Sequence, residues 1–209
     1  MGWLENVIFN NQELENERLE LKDKNSLYYL STGLTLRNCT IILKVPASRL
    51  IIKQARFINC MFEVKQELKN HQQWVFASIN GCRFKGRFLG CDFGHRPDYS
   101  EEEAKHGSIE DCDFSEALLN FCRFHACDMR TIRLPRWPCF TLLDPLRHVA
   151  ELGRVQWPGS FGDLIVDNLP TRPPSTVAIT YLASAIATRL GTTEEALRSA
   201  IERFDCFVY

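Results

Sequence analysis

The sequence predicts a repeat-built solenoid whose C-terminal end is closed by helices. Three observations carry this: a five-residue period that holds without a slip from Gly107 to Arg136, a spacing that fits neither an amphipathic helix nor an alternating strand, and the loss of that period beyond Arg136. A chain of 209 residues can bury a sizeable core without help from a metal or a disulfide. With 45% hydrophobic residues and 25 basic against 26 acidic side chains, the composition excludes intrinsic disorder, a polybasic nucleic-acid binder and an acidic tail.

The period is plain when Gly107 to Arg136 is written in fives as GSIED, CDFSE, ALLNF, CRFHA, CDMRT and IRLPR. The third position is Ile109, Phe114, Leu119, Phe124, Met129 and Leu134, and the first is Gly107, Cys112, Ala117, Cys122, Cys127 and Ile132. None of these is charged, whereas the remaining positions hold Glu110, Asp111, Asp113, Glu116, Arg123, Asp128, Arg130, Arg133 and Arg136. That contrast separates inside from outside. The same phase runs upstream through Phe9, Leu14 and Leu19, through Leu36 and Ile41, through Ile52, Phe57 and Phe62, and through Trp74, Ile79 and Phe84, with Phe88 and Phe93 following a step of four.

The blocks ARFIN, CRFKG, CDFSE, CRFHA and CDMRT resemble the pentapeptide-repeat family, whose motif places Ala or Cys first and Leu or Phe third. The resemblance covers residues 5 to 136 and is strongest over 107 to 136. It implies a mainly β fold, a right-handed parallel β-helix in which four pentapeptides make one square coil; the α-helical cap over 137–209 is read from the residues beyond the repeat. Residues twenty apart are then neighbours on adjacent coils, which sets Glu110 over Arg130, Asp113 over Arg133 and Glu116 over Arg136.

Two interruptions, 63–73 and 94–107, read as inserted loops in the 1–136 solenoid. The second, GHRPDYSEEEAKHG, is bounded by glycines and is expected to leave the rod as a polar loop or short helix. Loops on a rigid scaffold are where partner contacts concentrate, so Arg96, Tyr99, Glu101, Glu102, Glu103 and Lys105 are the candidate partner-binding residues.

Beyond Arg136, Asp144 and Pro145 read as the start of a short helix that Gly153 closes. Ser175 is expected to cap a helix to about Leu190, ended by Gly191, and the apolar run Val177 to Ala187 reads as buried within it because it is too short to span a bilayer. Thr192 and Glu195 have the spacing of a capping box for a last helix to about Phe204. Such a segment covers the open end of a solenoid and offers a dimer contact.

Nine cysteines are the unusual feature of the composition. Met1 to Leu14 carries Glu5 and Glu13 and does not read as a secretory leader, so a cytoplasmic chain with reduced thiols is expected. Cys39, Cys60, Cys82, Cys91, Cys112, Cys122 and Cys127 each precede an inward Ile, Phe or Met by two residues and are assigned to coil corners, while Cys139 and Cys206 fall outside the repeat. No metal-ligand spacing, no nucleophile motif and no phosphate-binding loop is present, so no catalytic residue, metal or cofactor is expected. His125 occupies an outward position and reads as a surface histidine, and His95 and His106 flank the second loop, where a closing hairpin would let them meet.

The expected function is therefore a non-catalytic protein-interaction scaffold, in the form of a bacterial immunity factor that occludes a partner such as a toxin. The alternative follows from the resemblance: some members imitate a DNA duplex and bind type II topoisomerases such as gyrase. The charge is polarised, with ten bases against two acids over 37–87 and nine acids against two bases over 92–116, which makes a dipole rather than a duplex-like surface. The rhythm of ASAIATRLGTTEEALRSAIERF also resembles a helix-turn-helix, but Glu194 and Glu195 would open its recognition helix and oppose phosphate, so no direct nucleic-acid contact and no membrane contact is expected.

Overall fold

The structure is a computed structural model that describes residues 4–99, 102 and 105–209. The chain winds into a parallel β-solenoid of about four turns. Its first pass is β1 (Glu5–Phe9), β2 (Glu13–Glu15) and β3 (Arg18–Leu21), and its second is β4 (Ser26–Leu30), β5 (Thr35–Arg37) and β6 (Thr40–Leu43). The third comprises β7 (Leu50–Ile52), β8 (Arg56–Ile58), β9 (Met61–Val64) and β10 (Leu68–Lys69). A short 3-10 turn at Gln73–Phe76 leads to β11 (Ser78–Asn80), β12 (Arg83–Leu89) and β13 (Asp92–Gly94). The last pass is β14 (Ser108–Glu110), β15 (Asp113–Asn120) and β16 (Cys122–His125), followed by a 3-10 turn at Met129–Thr131.

Register follows the third-position residues. Leu14, Leu36, Phe57, Ile79 and Ile109 stand in one column, and Leu19, Ile41, Phe62 and Phe84 in another. The aromatic members stack: Phe84 lies between Phe62 at 5.1 Å and Phe114 at 4.4 Å, and Phe93 between Trp74 at 5.9 Å and Phe124 at 5.5 Å. Stacked parallel strands place like residues one layer apart, so one large apolar choice per side fills the interior continuously.

The repeat length differs from the expected twenty. Ladder partners such as Leu14 and Leu36, or Phe57 and Ile79, are 22 residues apart, because steps of six enter at Leu30 to Leu36 in the first interval and at Phe62 to Leu68 and Leu68 to Trp74 in the second. The second loop lengthens the last turn further, setting Phe93 opposite Phe124. Of the three charge pairs expected from twenty-residue coils, only Asp113 and Arg133 form one, at 3.5 Å. Glu116 instead pairs with Lys85 at 2.8 Å, Arg130 with Asp128 at 2.6 Å, and Glu110 accepts from Asn80. The stretch 63–73 is likewise no insertion, since β9 pairs through Val64 with β6 and β10 pairs with Phe88 and Leu89 of β12.

Corners are turned by a left-handed residue followed by cysteine. Asn38, Asn59, Gly81 and Asp111 have φ between 52° and 63° and precede Cys39, Cys60, Cys82 and Cys112, and Gly90 and Phe121 do the same before Cys91 and Cys122. Each of these thiols donates to two carbonyls, one two residues back and one on the preceding pass, as Cys82 does to Asn80 and Phe57, both at 3.4 Å. A small side chain with a weak donor suits that position. All nine thiols are free, and Cys127 alone is only partly buried. Cys139, which the repeat did not assign, continues one corner by donating to Leu119 O at 3.7 Å.

The C-terminal segment contains helices and also strands. Where a helix from Ser175 to Leu190 is expected, β-branched and aromatic residues form β18 (Thr176–Leu182), and the helix α2 begins only at Ala183 (Ala183–Leu190). Strand β18 runs antiparallel to both β16 and β17 (Cys139–Leu143), and β19 (Phe207–Val208) completes the sheet in the order β13-β16-β18-β17-β19. Helix α1 (Pro145–Leu152) starts and stops where Asp144, Pro145 and Gly153 place it, and Gly191 ends α2 with φ +67°. Helix α3 (Glu194–Ile201) is capped by Thr193 rather than Thr192, its Oγ1 accepting from Ala196 N at 3.1 Å. One face of the extended sheet, through Ala178, joins the solenoid core, and the other, through Phe140, Ile179 and Tyr181, packs with Leu152, Phe161, Ile186 and Leu197. Among the described residues no helix is long and apolar enough to cross a membrane.

Candidate functional site

The second interruption returns to its starting point. Gly94 has φ +94°, and a side chain there would strike the carbonyl of His125; at Gly107 one would strike Val75 O and reach to 3.0 Å from Gly94 O. Two glycines are thus needed where the excursion leaves and rejoins the wall.

Beneath its root lies a buried ionic cluster. Parallel pairing of β13 with β16 sets Asp92 beside Arg123 and Gly94 beside His125. Asp92 is wholly buried and accepts from Arg123 Nε; His125 Nε2 lies 3.2 Å from its Oδ1, and Arg96 Nη1 lies 3.4 Å from its Oδ2. Burial pushes the Asp92 carboxyl up, but the hydrogen bonds from His125 and Arg123 outweigh it and hold it below its ordinary value. Burial drives His125 down, so the imidazole is neutral at pH 7, with Asp92 opposing only in part. Its Nδ1 faces Ser175 Oγ and Thr176 Oγ1, both at 3.4 Å, where β18 closes over the ring.

His125 is therefore no surface histidine. The outward side of a solenoid strand is normally wet, but β18 pairs with β16 and the root of the insertion covers the rest. Carboxylate, imidazole and hydroxyl in a row are components of a proton relay, yet two hydroxyls share one nitrogen and the ring has no exposed surface. What the cluster does is clamp three chain segments together. Among the described residues no group of three or more His, Cys, Asp or Glu could hold a metal.

The described residues of the insertion lie along the rod instead of leaving it. Arg96 Nε donates to Asp98 Oδ1 at 2.8 Å, its guanidinium sits 4.7 Å above the Tyr99 ring, and Tyr99 meets Phe76 edge-on at 5.2 Å. Gln54 Nε2 donates to the Glu102 carbonyl at 3.2 Å, tying the loop to an earlier corner. Of the expected partner-binding residues, Arg96 and Tyr99 are thus engaged within the molecule, Glu102 and Lys105 are exposed, and Glu101 and Glu103 lie outside the described residues. Sequence reading missed Asp92, Arg123 and Ser175 as members of this cluster. The one available signal was CDF over CRF in phase, which sets an acid beside a base on adjacent passes. No family model, no curated protein and no solved structure matches this chain.

Proposed function

We propose that the protein is a non-catalytic scaffold of the pentapeptide-repeat kind that binds another protein through the insertion on its side, as a bacterial cytoplasmic immunity factor does when it occludes a partner. The observation that carries this reading is the Asp92 clamp: a buried carboxylate shared by Arg96, Arg123 and His125 fixes the loop root and so presents Glu102 and Lys105 from a rigid platform. The repeat reading is supported by inward Ile, Leu and Phe at third positions and by thiols at the corners.

The test compares the intact protein with a chain lacking Asp98 to Lys105 in pull-downs from the native host. A protein partner held by the first and lost by the second, with unchanged circular dichroism, is the expected result; equal capture by both, or no protein partner, rejects the reading. The topoisomerase alternative would need a continuous acidic face, and Asp92, Asp98, Asp113 and Glu116 are each paired with a cation, which weighs against it. Micromolar protein is expected to leave gyrase supercoiling unchanged.

A further inference from the structure

The solenoid has two unlike ends. At the lower one, among the described residues, β1, β2 and β3 each stand last in their sheets, and Val7, Phe9, Leu14 and Leu19, which face the core, are only partly buried. This end is acidic: residues 4–25 hold six acids and three bases, and Glu5, Glu13 and Glu17 are exposed with no ion pair among the described residues.

At the upper end the last pass stops short. The extended sheet continues past it, so its inner face overhangs the rod and leaves a notch of about 430 Å³. Met129, Ile132 and Leu134 form its floor, and Leu143, Val208 and Tyr209 its wall, the last two 40% exposed each. The rim is basic: residues 127–136 carry Arg130, Arg133 and Arg136 against Asp128 alone, and Arg136 has no ion pair among the described residues.

An open strand edge with incompletely covered apolar side chains is an invitation to pairing. The two ends are opposite in charge and lie at opposite limits of one rod, so a molecule cannot use one to cover its own other. Two lower ends facing each other would set glutamates against glutamates. We propose that the acidic first pass of one copy, at the corner carrying Leu14, Leu19, Glu13, Glu15 and Glu17, docks into the basic notch of a second copy, a heterologous head-to-tail contact.

Sedimentation velocity on the full chain tests this. The expected weight-average mass rises with concentration past that of a dimer, because a head-to-tail contact leaves a free end at each step, and it falls as salt is raised from 50 to 500 mM (roughly a threefold shorter screening length). Leu14→Arg and Met129→Arg are each expected to give monomers, and an equimolar mixture of the two to give dimers and nothing larger, since one copy keeps an intact notch and the other an intact first pass. Glu15→Arg and Arg136→Glu act on exposed side chains and repeat the experiment should either core variant fail to fold by circular dichroism. A monomer at every concentration in low salt overturns the proposal, as does a closed dimer that survives one of the two single variants or a mixture that stays monomeric.

Discussion

The solenoid and the C-terminal segment bury aromatic side chains of the same kind by different means. In the solenoid, Phe84 meets Phe62 below and Phe114 above at equivalent positions of successive passes. In the C-terminal segment Trp157 packs on Phe161, Phe204 and Phe207 and donates its Nε1 to Leu152 O at 2.8 Å, contacts that occur once. A repeated contact fixes its neighbours by rule; a single contact fixes only itself. The regions meet where β18 pairs with β16, so the rule-built part supplies an edge on which the other assembles.

Truncating the stack is the strongest way to break this relation. Phe84→Ala removes a ring that also touches Trp74, Phe88 and Phe93, and is expected to cost about 3–5 kcal/mol in urea unfolding. Because the two regions share a sheet, tryptophan fluorescence from both, Trp74 in one and Trp157 in the other, should move in a single transition. Two separate transitions would show that the C-terminal segment is held independently of the rod.

The clamp comes next. Asp92→Asn leaves Arg123 and Arg96 facing a neutral amide in a buried site, at an expected cost of about 3 kcal/mol, with faster proteolysis of the insertion as its specific mark. Lys85→Ala, which breaks a pair whose members are 55% and 58% exposed, is expected to change stability by about 0.5 kcal/mol or less. Equal effects from the two variants would mean that Asp92 is not the anchor.

Legibility divides along the same line. The inward columns were readable because each rests on residue type at a fixed phase, and Ile79, Phe84, Phe114 and Phe124 are all buried where the phase puts them. Coil length was not, since a six-residue step differs from a five-residue one only in how a corner is turned, and the left-handed residue before Cys39, Cys60, Cys82 and Cys112 marks steps of five alone. Strand β18 was hidden because Val177 to Ala187 is apolar throughout, and only pairing with β16 decides between helix and strand. The same pairing hid the burial of His125. Apart from Arg96 on Asp92, the clamp thus depends on contacts 31 to 51 residues apart that no local pattern records.

Acid should weaken the rod in a definite window. Burial holds His71, whose Nε2 lies 3.0 Å from Leu50 O, down at about 4 against an ordinary 6.5. Between those values the unfolded chain binds the proton that the folded chain refuses, so stability is whole above pH 6.5 and falls as the pH drops towards 4. The slope is at most about 1.4 kcal/mol per pH unit from this group, and His125 shifts in the same direction. His71→Leu is expected to be less stable at pH 7 and to show a flatter decline, measured by denaturation midpoints at pH 7, 6 and 5. An unchanged slope would place the acid sensitivity elsewhere, in the C-terminal segment or in the carboxylates.

Single left-handed glycines separate the two regions at the level of one turn. Gly81 and Gly191 have nearly the same left-handed backbone, φ +63° and +67°. A side chain at Gly191 would meet nothing within 4 Å, so Gly191→Ala should carry only the conformational cost of that region, about 1 kcal/mol. At Gly81 the new Cβ would run into Asn59 Oδ1 on the preceding pass, so Gly81→Ala should cost more by the energy of turning that amide aside. Asn59 already stands one pass beyond Asn38 at the same corner, both left-handed, which shows that side chains at adjacent corners can coexist. Gly81→Asn is accordingly expected to fall between the two alanine variants in urea midpoint. If all three fall together, the corner is no more constrained than a helix end, and the rule that builds the rod resides in its inward columns alone.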